Sequence, residues 1–420
     1  MSANIKTTFD LPELPPELWI AIFELATELP ESLRKQLNES QSLFRFPGEA
    51  RVLLDYQRSF KTSFIIRKRL LSVCKQFRSF AVPYLYGHLL LERHQTLPLL
   101  LRTFSASTRR SQEDGTSSTL GCYTTRLDVC LREDSFDVDA ARNLGEILFY
   151  LPNIAVITFC GGYRGVRMQP TFMFALQKVG GSLRILNWQT PVFSPSVDAH
   201  HFVLSSTPNL TSLQLHWIND TDPLLLLPVL PHLRTLSLLR VRDPCQSQPQ
   251  PPLEDMPTNP FPALTQIRLN HAWLINHAHV QAILQLCAPT ITTVYLSTFL
   301  KWADWLPIMS MLQELGLCME FLTLHMDHML LSDDDHLSPP PSVRTLGLRF
   351  EVTYVSDPVY KNIVKQVTNL KGDELRVVRI ETKNVSYLRD KAAAAQDFVE
   401  VLEAQGRRLE FGEGQGLEID

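Results

Sequence analysis

Neither sign of charge dominates this chain: 40 Lys and Arg stand against 44 Asp and Glu, a formal net of -4. Without a basic excess or a basic stripe, nucleic acid and anionic membrane are not expected as partners. Long apolar runs are also missing. The strongest, Leu224 to Leu230, is interrupted by Pro228 and falls far short of the ~20 residues that span a bilayer. Cysteine is sparse: the seven, at 74, 122, 130, 160, 245, 287 and 318, are odd in number, far apart and mostly set among apolar neighbours. They are expected to be reduced core residues of an intracellular protein. The opening residues, Met1 to Thr8, lack the apolar stretch of a signal peptide, so a soluble protein of cytoplasm or nucleus is expected.

Catalytic signatures are absent as well. There is no G-x-S-x-G, H-E-x-x-H, P-loop or paired C-x-x-C, so the motif-bearing enzyme classes find no support. Gly412-Glu-Gly414-Gln-Gly416 mimics a dinucleotide loop after the strand Leu409 to Phe411. Only four residues follow it, too few for the helix whose N-terminus would hold a pyrophosphate. Two histidine groups, His271 with His277 and His279, and His325 with His328 and His336 beside Asp333 to Asp335, read as solvated turns rather than metal ligands. No catalytic, cofactor or metal residue is assigned, and an enzyme is not expected.

What the chain does have is a repeat. The spacing L-x-x-L-x-L recurs as Leu183-Arg-Ile-Leu186-Asn-Trp188, Leu210-Thr-Ser-Leu213-Gln-Leu215, Leu233-Arg-Thr-Leu236-Ser-Leu238, Leu264-Thr-Gln-Ile267-Arg-Leu269 and Ile291-Thr-Thr-Val294-Tyr-Leu296. It continues as Leu312-Gln-Glu-Leu315-Gly-Leu317, Val343-Arg-Thr-Leu346-Gly-Leu348 and Leu375-Arg-Val-Val378-Arg-Ile380, preceded by Ile154-Ala-Val-Ile157-Thr-Phe159 and a weaker copy at Thr124 to Val129. Successive steps from Ile154 are 29, 27, 23, 31, 27, 21, 31 and 32 residues, an irregular array centred near the ~20 to 29 of a leucine-rich repeat. Before many copies lies a helical apolar segment closed by Pro or Gly: Ala140 to Leu151, Phe172 to Val179, His200 to Thr207 and Val280 to Ala288. Two proline-rich stretches, Asp243 to Pro262 and Ser332 to Ser342, read as surface loops.

Side chains alternate along a strand, so Leu213 and Leu215 face the helices while Gln214 faces the other way. One unit cannot bury a core alone, but stacked units share one. The expected fold class is therefore α/β: a small N-terminal helical module followed by an irregular leucine-rich-repeat solenoid with a parallel sheet on its concave face. The outward positions Asn187, Gln214, His216, Arg268, Asn270, Tyr295, Arg349, Arg379 and Glu381 are the candidate substrate face, mixed in charge and suited to a protein partner.

The N-terminal module has two parts. Pro15 and Pro16 suit the first turn of a helix on which Leu18, Ile22 and Leu25 share a face with Trp19 and Phe23 beside them. Leu70, Val73, Cys74, Phe77, Phe80 and Ala81 repeat at helical spacing, with Pro83 expected to close the helix. The clustering of Trp19, Ile22 and Phe23 in one turn leaves more apolar surface than a polar-faced cap needs.

The opening Leu14-Pro15-Pro16-Glu17-Leu18 with Ile22-Phe23, together with Leu71-Ser72-Val73-Cys74-Lys75-Gln76-Phe77, resembles the F-box, in the form common among fungal proteins. It departs from that pattern in Phe77, where tryptophan is frequent, and in an insert from about 31 to 65. The resemblance implies a subunit of a Skp-cullin-F-box ubiquitin ligase. Leu14, Pro15, Leu18, Ile22, Phe23, Leu71, Val73 and Cys74 would dock the Skp-type adaptor, and through it cullin, while the repeats hold an unknown protein substrate. The implied organisation is a tail at 1–10, the F-box-like module at 11–92, the solenoid at 93–411 and a tail at 412–420. A repeat scaffold unconnected to ubiquitin ligase is the competing reading.

Overall fold

The computed structural model describes residues 14–27, 49–115, 118–131, 138–159, 170–188, 197–217, 227–240, 260–270, 281, 284–285, 287, 289–297, 302–316, 318–326, 338–350, 364–365, 367–382, 396–411 and 415–416. Among these, helices α1 (Pro16–Thr27), α2 (Glu49–Leu71) and α3 (Lys75–Gly87) open the fold. An open sheet follows with its strands in chain order. It comprises β1 (His88–Leu91), β2 (Arg126–Val129), β3 (Val156–Phe159), β4 (Ile185–Trp188), β5 (Ser212–Trp217), β6 (Thr235–Arg240), β7 (Gln266–Asn270), β8 (Thr293–Ser297), β9 (Phe321–Met326), β10 (Thr345–Phe350), β11 (Val377–Thr382) and β12 (Arg408–Phe411). These twelve strands pair in parallel, and the short β13 (Gln415–Gly416) adds an antiparallel edge. Interleaved helices are α4 (Thr96–Glu113), α5 (Val138–Leu148), α6 (Pro170–Val179), α7 (Val197–Ser205), α8 (Trp302–Glu314) and α9 (Gln396–Ala404).

One backbone arrangement recurs down the array. The carbonyl of Ala155 accepts the N–H groups of Arg184 and Ile185, that of Arg184 those of Thr211 and Ser212, and that of Thr211 those of Arg234 and Thr235. The same pattern returns at Arg234, Thr265, Thr292, Glu320 and Arg344. It locks the register, so Leu186, Leu213, Leu236, Ile267 and Val294 fall in one ladder row, all fully buried. Turns are tied in the same sequential way: Asn153 donates to Cys122 O, Ser182 to Ile154 O and Asn209 to Gly181 O, each at 2.8 Å. The main apolar core is thus one continuous body from Leu89 to Leu409, which is how units too small to fold alone become stable.

The segment Leu312 to Leu317, expected to be a strand, is helix and turn over its described residues, 312–316. Leu312 lies buried in α8, and the strand of that repeat is β9, where Met319, Leu322 and Leu324 occupy the three apolar positions. Counted through Met319, the steps from Ile291 and on to Val343 become 28 and 24 residues in place of 21 and 31. A methionine in the first position hid the true copy, and methionine packs as readily as leucine there. Helices α5, α6 and α7 start two or three residues before their expected bounds; α5 and α7 also stop two or three residues earlier, while α6 ends at Val179 as expected. Pro339 and Pro340, expected in a solvated loop, are buried; residues 243–259 and 332–337 of the two proline-rich stretches lie outside the described residues.

The helical module also differs from expectation at one joint. Pro83 does not close its helix but lies inside α3, and the break falls at Ser72–Cys74 instead. There Cys74 turns to an extended conformation and its Sγ accepts the Phe77 N–H at 3.4 Å, capping the orphan donor of the first turn. Residues from the expected insert run without interruption into the second motif as the 23-residue α2. This helix docks by polar contacts: Ser63 Oγ donates to Thr27 O at 2.5 Å, while Arg67 donates to Thr27 O at 3.1 Å and Tyr84 O at 2.9 Å. The module has its own small core, Phe23, Phe77 and Ala81, with Trp19 and Phe80 against it. Helix α3 then passes directly into β1, so the sheet begins inside residues 11–92.

Candidate functional site

Helix α1 divides into two faces. Trp19 and Phe23 turn inward, with ring centroids 4.8 and 4.9 Å from that of Phe77. The opposite side stays in solvent: Leu18 is 50% exposed, Ile22 42% and Leu25 73%, and Ile20 and, after α2, Val73 are also exposed. Burial on that scale is what an apolar face seeks, at roughly 25 cal/mol per Å² removed from water. Of the eight residues implied as adaptor contacts, Leu18, Ile22 and Val73 are exposed with Pro15, whereas Leu14, Leu71 and Cys74 are partly covered. Phe23 is 1% exposed and holds the helix from beneath. Residues 31–48 of the insert lie outside the described residues.

The second candidate surface departs from its expected form. Asn187, Gln214, Arg268, Tyr295 and Arg349 were expected on an open face, yet each is 6% exposed or less. They sit mid-strand, with ladder neighbours ~4.8 Å to either side, and those neighbours cover them. The Arg268 guanidinium lies over the Tyr295 ring at 4.7 Å, and Arg349 donates to Tyr295 Oη at 3.2 Å. Asn187 Nδ2 reaches Thr158 Oγ1 at 3.5 Å. Arg379 alone of the six described side chains stays half-open, and it donates through Nε and Nη2 to Glu410 at 3.0 and 2.8 Å. His216, Asn270 and Glu381 belong to β5, β7 and β11, but their side chains lie outside the described set.

Within the buried row, Asn187 Oδ1, Ser212 Oγ, Gln214 Nε2 and Ser237 Oγ make no hydrogen bond. All four lie on β4, β5 and β6, adjacent in the ladder. An unmet buried polar group costs about 1–3 kcal/mol, so these atoms do not add to the stability of this stretch of sheet.

Three side chains that sequence reasoning did not single out form a buried charged cluster at the other end. His88 Nε2–H donates to Asp128 Oδ2 at 2.6 Å, and Arg126 Nε donates to the same oxygen at 2.9 Å. Burial by itself would raise the Asp128 pKa; Arg126 and His88 outweigh it and hold the carboxyl well below the usual range. Burial pushes His88 below its ordinary value, partly offset by Asp128 and reinforced by Arg126 and Arg67. The Phe60 ring of α2 packs 4.5 Å from His88, joining module to sheet. The signal in the sequence was positional: Asp128, like Glu410, occupies the middle place of L-x-L in its repeat.

Cysteine chemistry is mixed rather than uniformly reduced. Cys74, Cys122, Cys287 and Cys318 are free thiols, and burial pushes that of Cys287 up to about 12, leaving it inert. Cys130, directly after β2, is disulfide-bonded, against expectation. Among the described residues no group of three or more His, Cys, Asp or Glu is placed to hold a metal, and no helix is long and apolar enough to cross a membrane. The histidine groups at 271–279 and 328–336 lie outside the described residues. No family model matches the chain, and no curated protein matches it in sequence.

Proposed function

We propose that the chain is a substrate-recognition adaptor of a Skp-cullin-F-box ubiquitin ligase, working without catalytic groups of its own. One observation carries the reading: α1 keeps Leu18, Ile22 and Leu25 in solvent while Trp19 and Phe23 anchor it from behind. A helix held rigidly with an apolar face outward is a docking element, because no cap needs that exposure. The F-box resemblance places the Skp-type adaptor on this face. The stacked parallel sheet, a surface extended over twelve strands, supports a protein substrate as the partner of the leucine-rich-repeat part.

Direct passage of α3 into β1 supports the mechanism. It fixes the docking end relative to the sheet, so the distance from ligase to bound target is set by the fold. The test is co-purification of the full chain with a Skp-type adaptor. The wild-type protein is expected to retain it, and Leu18→Asp with Ile22→Asp to lose it without loss of helicity. If the wild-type chain fails to bind, the scaffold reading replaces this one; if the double variant still binds, the docking face lies elsewhere.

A further inference from the structure

A cavity of about 290 Å³ opens at the entry edge of the sheet, where the chain enters β4, β5 and β6; Arg184, Asn209, Thr211, His232, Arg234 and Ala263 line it. We propose that it is a binding site for a phosphomonoester group.

Position comes from the repeat itself. Arg184, Thr211 and Arg234 hold the same place in three successive units, each linked to the next by a 2.8 Å backbone hydrogen bond. Arg184 and Arg234 therefore leave the backbone two strands apart, roughly 10 Å, with the short Thr211 between them to leave room. His232 precedes Leu233 by one residue and adds a ring nitrogen, and Ala263 in the next repeat keeps that wall low.

The lining offers donors and no charge to match them. None of the six residues is acidic, and no carboxylate of a described residue pairs with Arg184 or Arg234. Arg184 has one long contact, Nη1 to Asn209 O at 3.4 Å. The neutral groups are already engaged: Thr211 Oγ1 donates to Arg184 O at 3.0 Å and Asn209 Nδ2 to Gly181 O at 2.8 Å. The free capacity of the cavity is thus two planar cations and an imidazole. A carboxylate would neutralise one guanidinium. A phosphomonoester, carrying about -1.5 to -2 with three acceptor oxygens, matches both. The volume sits at the small end of ligand sites, enough for the anion and a few attached atoms rather than a large cofactor. Both arginines are exposed, so the anion is reached from solvent and its binding weakens with salt.

Titration calorimetry on the full chain at fixed ionic strength tests this, with inorganic phosphate, N-acetyl-phosphoserine amide and N-acetyl-glutamate amide as probes. Both phosphates are expected to bind saturably and more tightly than glutamate. Arg184→Gln with Arg234→Gln is expected to weaken them roughly tenfold or more, and Ala263→Glu, which brings a carboxylate into the cavity, to abolish binding. Arg344→Gln with Arg376→Gln, the same loss of two charges at the same repeat position outside the cavity, is expected to leave it unchanged. Tighter binding of the phosphoserine amide than of phosphate assigns the site to a phosphoprotein segment; equal binding assigns it to free phosphate. Absence of saturable binding, equal binding of glutamate, or binding that survives both cavity variants overturns the proposal. The adaptor is not involved, so failure here leaves the docking reading untouched.

Discussion

At Gly180 there is no room for a single extra carbon. A Cβ would stand 2.0 Å from Ser206 O, a backbone atom of the next repeat, whereas one on the adjacent Gly181 would meet nothing within 4 Å. Gly121 is crowded in the same way, with Tyr150 O at 1.8 Å. In the sequence, Gly180 reads only as a helix stop; the close approach of two turns that demands it depends on stacking. Gly180→Ala is expected to cost about 1–3 kcal/mol, as overpacking does, and Gly181→Ala less than about 0.5 kcal/mol. Urea unfolding midpoints of the two variants measure the difference, and equal midpoints would contradict it. His88 and Asp128 add a pH signature. Each has its pKa lowered in the fold, so below the unfolded values, about 6.5 and 3.9, the unfolded chain binds more protons. Stability is therefore expected to be full above about pH 6.5, to fall first as His88 is forced to charge, and to fall again below about pH 4 through Asp128. His88→Gln is expected to flatten the first fall in midpoint-against-pH curves; an unchanged slope removes His88 as its source.

Helices and strands were legible wherever their periodicity matched one template. The rows through Leu186, Leu213 and Leu236 could be read directly, because a period of two followed a helical segment and a stop. Two elements could not. Met319 replaced the leading apolar residue of β9 while Leu312 to Leu317 supplied a false match, and only the demand for a helix of adequate length separates them. The break at Cys74 was hidden because apolar spacing runs straight across it from Leu70 to Phe77; a cap and a turn leave that spacing intact. That α1 carries an exposed apolar face was legible, but not its membership: of the expected cluster Trp19, Ile22 and Phe23, only Ile22 is exposed, while Trp19 and Phe23 pack inward. Its attachment was not legible either, since Arg67 lies 40 residues from Thr27. That attachment yields a prediction. Arg67→Ala deletes three-way bonding between α1, α2 and α3 and is expected to destabilise the module by about 3 kcal/mol, the scale of hydrogen bonds from a charged donor. Since the module's core is separate from that of the sheet, amide exchange is expected to rise across residues 16–27 while β4 to β8 keep their protection. Uniform loss of protection would mean that module and sheet fold as one.

At the scale of the whole molecule, each strand among the described residues pairs only with its neighbours in the chain, and α4 packs on α5, α5 on α6 and α6 on α7 in the same order. Stability in such an array is to a first approximation a sum of unit terms and nearest-neighbour terms. The effect of one substitution then depends on where in the array it falls. Leu236 and Leu409 hold the same row position, in the middle at β6 and near the end at β12, and both are buried. Truncation of either to Ala removes the same atoms and is expected to cost about 2–5 kcal/mol locally. At Leu409 the loss is expected to fray only the last units, lowering the amplitude of unfolding at the C-terminal end while the rest holds its midpoint. At Leu236 it severs coupling between two long halves, so the single calorimetric transition is expected to split or broaden, with exchange protection falling first around β5 to β7. If Leu236→Ala and Leu409→Ala give one transition each, displaced equally, the sheet is a single cooperative body and the nearest-neighbour account is wrong.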